Sequence, residues 1–218
     1  IDQFSNDGNG IIVNDLNQIH NLEIENINSD YRYNNDFSEY KFYNRGNGKY
    51  EIETSSGFDD LTDFVTLTFS QGTLNTDDDI TLNVIDDIKG TFDQITGKED
   101  HTGEMFRLYN AAFARFPDAD GLRYWIDMFG SGANTKRQVA NSFLGSEEFE
   151  ERYGSNVSDE KYVETLYANV LGRLPDEDGM NYWIGRLTSG AETRAEALLG
   201  FSESDENKAL FSDMTGVF

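Results

Sequence analysis

Two short acidic clusters carry the residue types most able to do chemistry. Asp118-Ala119-Asp120-Gly121 and Asp176-Glu177-Asp178-Gly179 each set two carboxylates one residue apart ahead of a glycine. Hard oxygen ligands alternating with spacers before a Gly turn are the pattern of a calcium loop. In an EF-hand register the first ligand falls on Phe116 or Leu174 and the last on Asp127 or Gly185, which excludes a complete EF-hand. A partial calcium site on Asp118, Asp120, Asp176 and Asp178 remains. The reading favoured by the spacing is structural: these aspartates cap a following helix, and Pro117 and Pro175 set the turn. The run Asp77-Asp78-Asp79 offers further oxygens, because adjacent like charges are poorly tolerated without a cation, although a solvated loop is the simpler account. Calcium is the one cofactor these residues suggest.

Arg115 and Arg173 precede the same turns. Bidentate hydrogen bonds to a turn carboxylate or to helix-end carbonyls are their expected role, with anion or sugar binding as the alternative. Tyr124-Trp125 and Tyr182-Trp183 could stack on sugar rings, but at core spacing within helices they are expected to be buried. Catalytic material is thin. His20 and His101 make no metal-binding pair, and no cysteine is present for thiolate or disulfide chemistry, so an enzyme is not expected.

These residues sit in a chain of 218 with 41 Asp and Glu against 17 Lys and Arg, a formal charge of −24. Such a charge repels phosphate backbones and argues against nucleic acid as a partner. The aromatic content of 13% argues for a folded chain rather than an acidic disordered one. No stretch approaches the ~18 consecutive apolar residues of a membrane span. Ile1 reads as the start of a processed product or of a fragment.

The elements that must position the candidate residues form an α+β arrangement. Residues 1–97 carry the period of strands broken by Asn, Asp and Gly turns, at 10–13, 22–27 and 64–69, with a hairpin over 40–54 turning at Gly46-Asn47-Gly48. The polar stretch after Gly97 marks a domain boundary, and residues 98–218 take the period of helices. Met105, Leu108, Tyr109, Ala112, Phe113 and Phe116 share one helical face, and Tyr162, Val163, Leu166, Tyr167, Val170 and Leu171 share another.

A shift of 58 residues lays the helical half on itself. Leu108-Tyr109 falls on Leu166-Tyr167, Arg115 on Arg173, Pro117-Asp118 on Pro175-Asp176, Tyr124-Trp125 on Tyr182-Trp183, Thr135 on Thr193, Ser146 on Ser204 and Glu148 on Glu206. Both prolines and both tryptophans of the chain occupy matched positions. The repeats run over about 103–154 and 161–212, each too apolar to stand alone, and the Tyr-Trp pairs are expected near their junction.

The matched residues resemble the bacterial family called domain of unknown function 4214, in two tandem copies. The second copy carries the pattern best, as Leu166-Tyr167, Gly172-Arg173-Leu174-Pro175-Asp176-Glu177-Asp178-Gly179, Tyr182-Trp183, Ser189-Gly190, Thr193-Arg194 and Phe201-Ser202-Glu203-Ser204. The first departs from it at Ala114 and Lys136. The resemblance implies a module of large secreted or surface-layer proteins beside calcium-binding repeats, hence an extracellular or cell-surface location. A more distant similarity to linker domains of light-harvesting antennae implies an assembly piece.

The expected function is therefore a non-enzymatic structural or adhesive module. It is expected to self-associate in a surface layer, filament or matrix through packing and calcium-assisted contacts, with exposed strand edges able to pair with a neighbouring subunit. A glycan-binding module that takes cell-surface polysaccharide is the alternative, as is a secretion or anchoring appendage of a larger protein.

Overall fold

The computed structural model describes residues 30–70 and 79–218. The strands expected at 10–13 and 22–27, together with His20, Asp77 and Asp78, lie outside the described residues. Among the described residues the β layer comprises two three-stranded sheets. In one, β1 (Asp30–Tyr33) runs parallel to β5 (Thr66–Phe69), which pairs antiparallel with β6 (Ile80–Asn83). In the other, β2 (Lys41–Gly46), β3 (Lys49–Thr54) and β4 (Gly57–Asp60) form an antiparallel meander. Alternation sets the inward faces: Tyr50 and Ile52 of β3 and Leu67 and Phe69 of β5 are buried, while their neighbours are more exposed. The expected hairpin is β2–β3, closed by Gly46, Asn47 and Gly48, all at positive φ.

Helical structure begins earlier than expected. A π-helical segment at Val84–Lys89 continues into Gly90–Phe92, within the stretch read as strand-like. The Asn83 side chain accepts from the Ile85 and Asp86 amides and so starts a helix. Val84, Ile88 and Phe92 then bury one face at i, i+4 spacing. That packing overrides the strand preference of Val84 and Ile85.

The remainder is helical, and one order of four helices occurs twice. The first unit is α1 (His101–Phe113), α2 (Ala119–Gly130), α3 (Lys136–Leu144) and α4 (Glu147–Tyr153). The second is α5 (Asp159–Leu171), α6 (Glu177–Thr188), α7 (Arg194–Ser202) and α8 (Asp205–Thr215). The starts are written in the sequence: Thr135 and Thr193 make full capping boxes with Gln138 and Glu196, and Ser146, Ser158 and Ser204 cap α4, α5 and α8. After α1 and α5 the chain turns through the left-handed region, at Ala114 (φ 49°) and Gly172 (φ 65°).

The units meet chiefly through α1 and α3 of the first against α5 and α7 of the second. The apolar core continues into the β layer, where Phe42 packs on Phe116 with ring centres 4.9 Å apart, Phe92 on Phe116 at 5.0 Å and Tyr50 on Phe92 at 5.7 Å. The β layer thus covers the turn that follows α1. No helix among the described residues is long and apolar enough to cross a membrane.

Candidate functional site

The repeated motif Arg-x-Pro-Asp-x-x-Gly builds the same staple in both units. Arg115 forks onto Glu148 in the first turn of α4, Nε to Oε1 at 2.6 Å and Nη2 to Oε2 at 3.0 Å. Arg173 forks in the same way onto Glu206 in the first turn of α8, at 2.8 and 3.0 Å. A further Arg N–H donates to the next residue's carbonyl, Phe116 at 3.1 Å and Leu174 at 3.4 Å. Each guanidinium also lies over the tyrosine of the Leu-Tyr pair, 5.1 Å from the ring centre of Tyr109 and 4.9 Å from that of Tyr167. One arginine therefore ties together the end of the unit's first helix, the turn and the start of its last helix.

The aspartate and glycine finish the turn. Asp118 Oδ1 accepts from the Gly121 amide at 2.6 Å, and Asp176 Oδ1 accepts from that of Gly179 at 2.7 Å. Both are helix N-caps, and the carboxylate folds back over the glycine. A Cβ at Gly121 would lie 2.5 Å from Asp118 Oδ1, and one at Gly179 would fall on the Tyr167 hydroxyl, so any side chain at this position of the motif displaces the capping carboxylate or the tyrosine. In the first unit Tyr109 also donates to Asp118 Oδ2 at 2.6 Å. Burial raises the Asp118 carboxyl, but the Tyr109 hydroxyl, the Gly121 amide and Arg115 together hold it below its ordinary value. Burial, opposed by Arg115 and reinforced by Asp118, drives the Tyr109 phenol well above its ordinary value.

The expected residues divide accordingly. Asp118 and Asp176 cap, whereas Asp120 and Asp178 do not: the Asp120 side chain is 97% exposed and reaches Arg123 at 3.5 Å, and Asp178 is exposed. Asp79 takes both terminal amino groups of Arg32, at 2.6 and 2.9 Å. Among the described residues no three His, Asp or Glu side chains converge on one point as metal ligands do. The arginines are bidentate as expected, but their carboxylate is a helix glutamate 33 residues on, with the turn aspartates at 3.6 and 3.9 Å.

The Tyr-Trp pairs correct two expectations. Trp125 and Trp183 are half-buried against Phe143 and Phe201, with ring centres 5.0 and 5.1 Å apart, but Tyr124 and Tyr182 are each 54% exposed. They also lie away from the junction, since α2 and α6 pack on the first helix of their own unit. Trp fills the core-facing stripe of a short helix, which turns the preceding residue outward.

Sequence reasoning missed the main polar tie between the units. Arg107 of α1 is 1% exposed and forks onto Glu203 at the end of α7, with bonds of 3.0 and 2.7 Å, while its third bond goes to the Lys98 carbonyl at 2.7 Å. It has no counterpart at the 58-residue offset, where Thr165 stands. Also unforeseen is an open groove between the two sheets, lined by Tyr31, Asn34, Lys41, Glu53, Thr54 and Asp59.

No curated protein and no solved structure matches the chain. A family model does match, from the middle of α3 through to Phe211 in α8. The segment holding the second staple, residues 140–211, belongs to the family described as Domain of unknown function (DUF4214).

Proposed function

We propose that the chain is a non-enzymatic structural or adhesive module that self-associates outside the cell, and that its first four-helix unit is a second copy of the family module. The observation that carries this reading is a difference between equivalent positions. In the first unit the motif turn lies under the β layer, and Phe116 is 3% exposed. In the second the equivalent Leu174 is 79% exposed, and Leu210 beside Glu206 on α8 is 41% exposed. Leu174, exposed at a position that its twin buries, and exposed Leu210 give the second unit an apolar surface suited to another protein. The polar groups of both staples are meanwhile satisfied within the chain, which fits a building part.

Self-repulsion from a charge of −24 opposes association, and exposed carboxylates such as Asp120 and Asp178 are where calcium would relieve it. Sedimentation velocity over a range of protein concentration, with and without millimolar calcium, tests the reading. Concentration-dependent oligomers, strengthened by calcium, are expected. A monomer under every condition overturns it.

A second reading, a module for cell-surface polysaccharide, is favoured by Tyr124 and Tyr182, exposed rings at matched positions of two equivalent helices. Titration of polysaccharide against Tyr and Trp fluorescence separates the two: a saturable response in a monomeric protein favours glycan binding.

A further inference from the structure

A cavity of about 320 Å³ lies between the β layer and the first helical unit. Phe37, Ile80, Leu82, Phe116 and Pro117 make its apolar walls. Of the charged groups lining it, most are satisfied within the chain. Asp36 accepts from the Ser38 amide, Asp87 from that of Asn83 and Asp118 from that of Gly121, while Glu148 holds Arg115. Arg152 is the exception: its Nε is shut off from solvent and has no hydrogen-bond partner. No carboxylate among the described residues lies within ion-pair distance of it.

A buried donor without an acceptor is destabilising, and such groups in folded proteins call for an explanation. The repeat does not supply one. The position equivalent to Arg152 in the second unit is Leu210, so the helix packing shared by the units has no need of an arginine there. The roof also differs: Phe37, Ile80 and Leu82 of the β layer lie over the first unit here, whereas Tyr40, Lys41 and Phe42 line the groove at Leu210. An arginine that the helix packing does not require thus lines an apolar-walled cavity. A guanidinium fork is matched to a carboxylate, and the walls are matched to hydrocarbon.

We propose that this cavity binds a small amphipathic monocarboxylate, its carboxylate on the Arg152 guanidinium and its apolar body against Phe37, Ile80, Leu82, Phe116 and Pro117. An amine of the same shape meets an unneutralised cation. An alcohol forms a neutral hydrogen bond in place of a charge-assisted pair. The volume is at the small end for ligand pockets, which selects a compact aliphatic or aromatic body.

Isothermal titration of octanoate into the full chain, in about 0.15 M salt, tests this against 1-octanol and octylamine as matched probes. Saturable one-to-one binding is expected for octanoate, with each of the other probes at least ~10-fold weaker. Arg152→Gln is expected to weaken octanoate by ~10-fold or more while keeping the wild-type circular dichroism spectrum. Should Arg152→Gln not fold, Arg152→Lys, which keeps the charge and loses the fork, serves in its place and is expected to bind more weakly than wild type. The proposal is overturned by the absence of saturable octanoate binding, by equal affinity for octanoate and the other probes, or by a folded Arg152 variant that binds as wild type does.

Discussion

Glu148→Gln and Glu206→Gln make the same chemical change in two copies of one staple, so each is the control for the other. Both remove a carboxylate from a forked arginine and a negative charge from the first turn of a helix. The helix-terminus contribution is common to both and drops out of the comparison. What differs is burial. The Arg115 and Glu148 side chains are 16% and 35% exposed, those of Arg173 and Glu206 43% and 44%. Breaking a fully buried pair from one side costs about 3–5 kcal/mol. Allowing for the open side of Glu148, we expect Glu148→Gln to cost about 2–3 kcal/mol, a fall in Tm of about 4–12 °C for a chain of this size. Glu206→Gln leaves its arginine in water and should cost distinctly less. Replacing both members of the first pair, as Arg115→Met with Glu148→Leu, should recover much of the loss, because no buried charge is stranded. Urea unfolding followed by circular dichroism measures all of these. Equal losses for the two glutamine variants, or no loss at Glu148, would refute the burial argument.

Further outcomes follow from the turns and caps. Gly172 sits at φ 65° with open space around its missing Cβ, so Gly172→Ala should cost about 1 kcal/mol through backbone conformation alone. Ala114→Gly at the equivalent turn should be neutral or stabilising, and the shift in urea midpoint gives the sign. Gly179→Ala drives a Cβ into the Tyr167 hydroxyl and should cost about 1–3 kcal/mol, read as a lowered Tm. Asp100 caps α1: burial raises its carboxyl, but the Thr102 and Thr96 hydroxyls and the Gly103 and Thr102 amides outweigh it, bringing it to about 2. A depressed carboxylate stabilises the fold above its unfolded value, and that contribution is lost as pH falls from about 4 to about 2. After allowing for water screening at this partly open site, about 1 kcal/mol should be lost there. Urea midpoints measured across that range should converge for wild type and Asp100→Asn.

Local chemistry in the sequence reached far. The hairpin at Gly46-Asn47-Gly48, the caps at Thr135, Ser146, Ser158, Thr193 and Ser204, and the apolar faces of α1 and α5 are all signals carried within a few residues. The segment at Val84–Lys89 was hidden because Val and Ile also favour strands, although the spacing of Val84, Ile88 and Phe92 was there to be read. The exposure of Tyr124 and Tyr182 depends on which neighbours a helix packs against, which no helical period reports. The partners of Arg115 and Arg173 had a readable signal, since Glu148 and Glu206 recur at the same separation of 33 residues. Arg107 and Glu203 had none: they are 96 residues apart and occur once. The Arg152 cavity likewise depends on which residues of the β layer come to rest beside α4.

On the proposed function, the face of the second unit that carries Leu174 and Leu210 joins one copy to another. Sedimentation velocity of wild type beside Leu174→Glu with Leu210→Glu tests it most directly, because both positions are exposed and the changes should leave the fold intact. Concentration-dependent oligomers are expected for wild type and a monomer for the double variant. Oligomers that persist unchanged in the double variant would move the interface elsewhere, and a wild type that stays monomeric would contradict self-association itself.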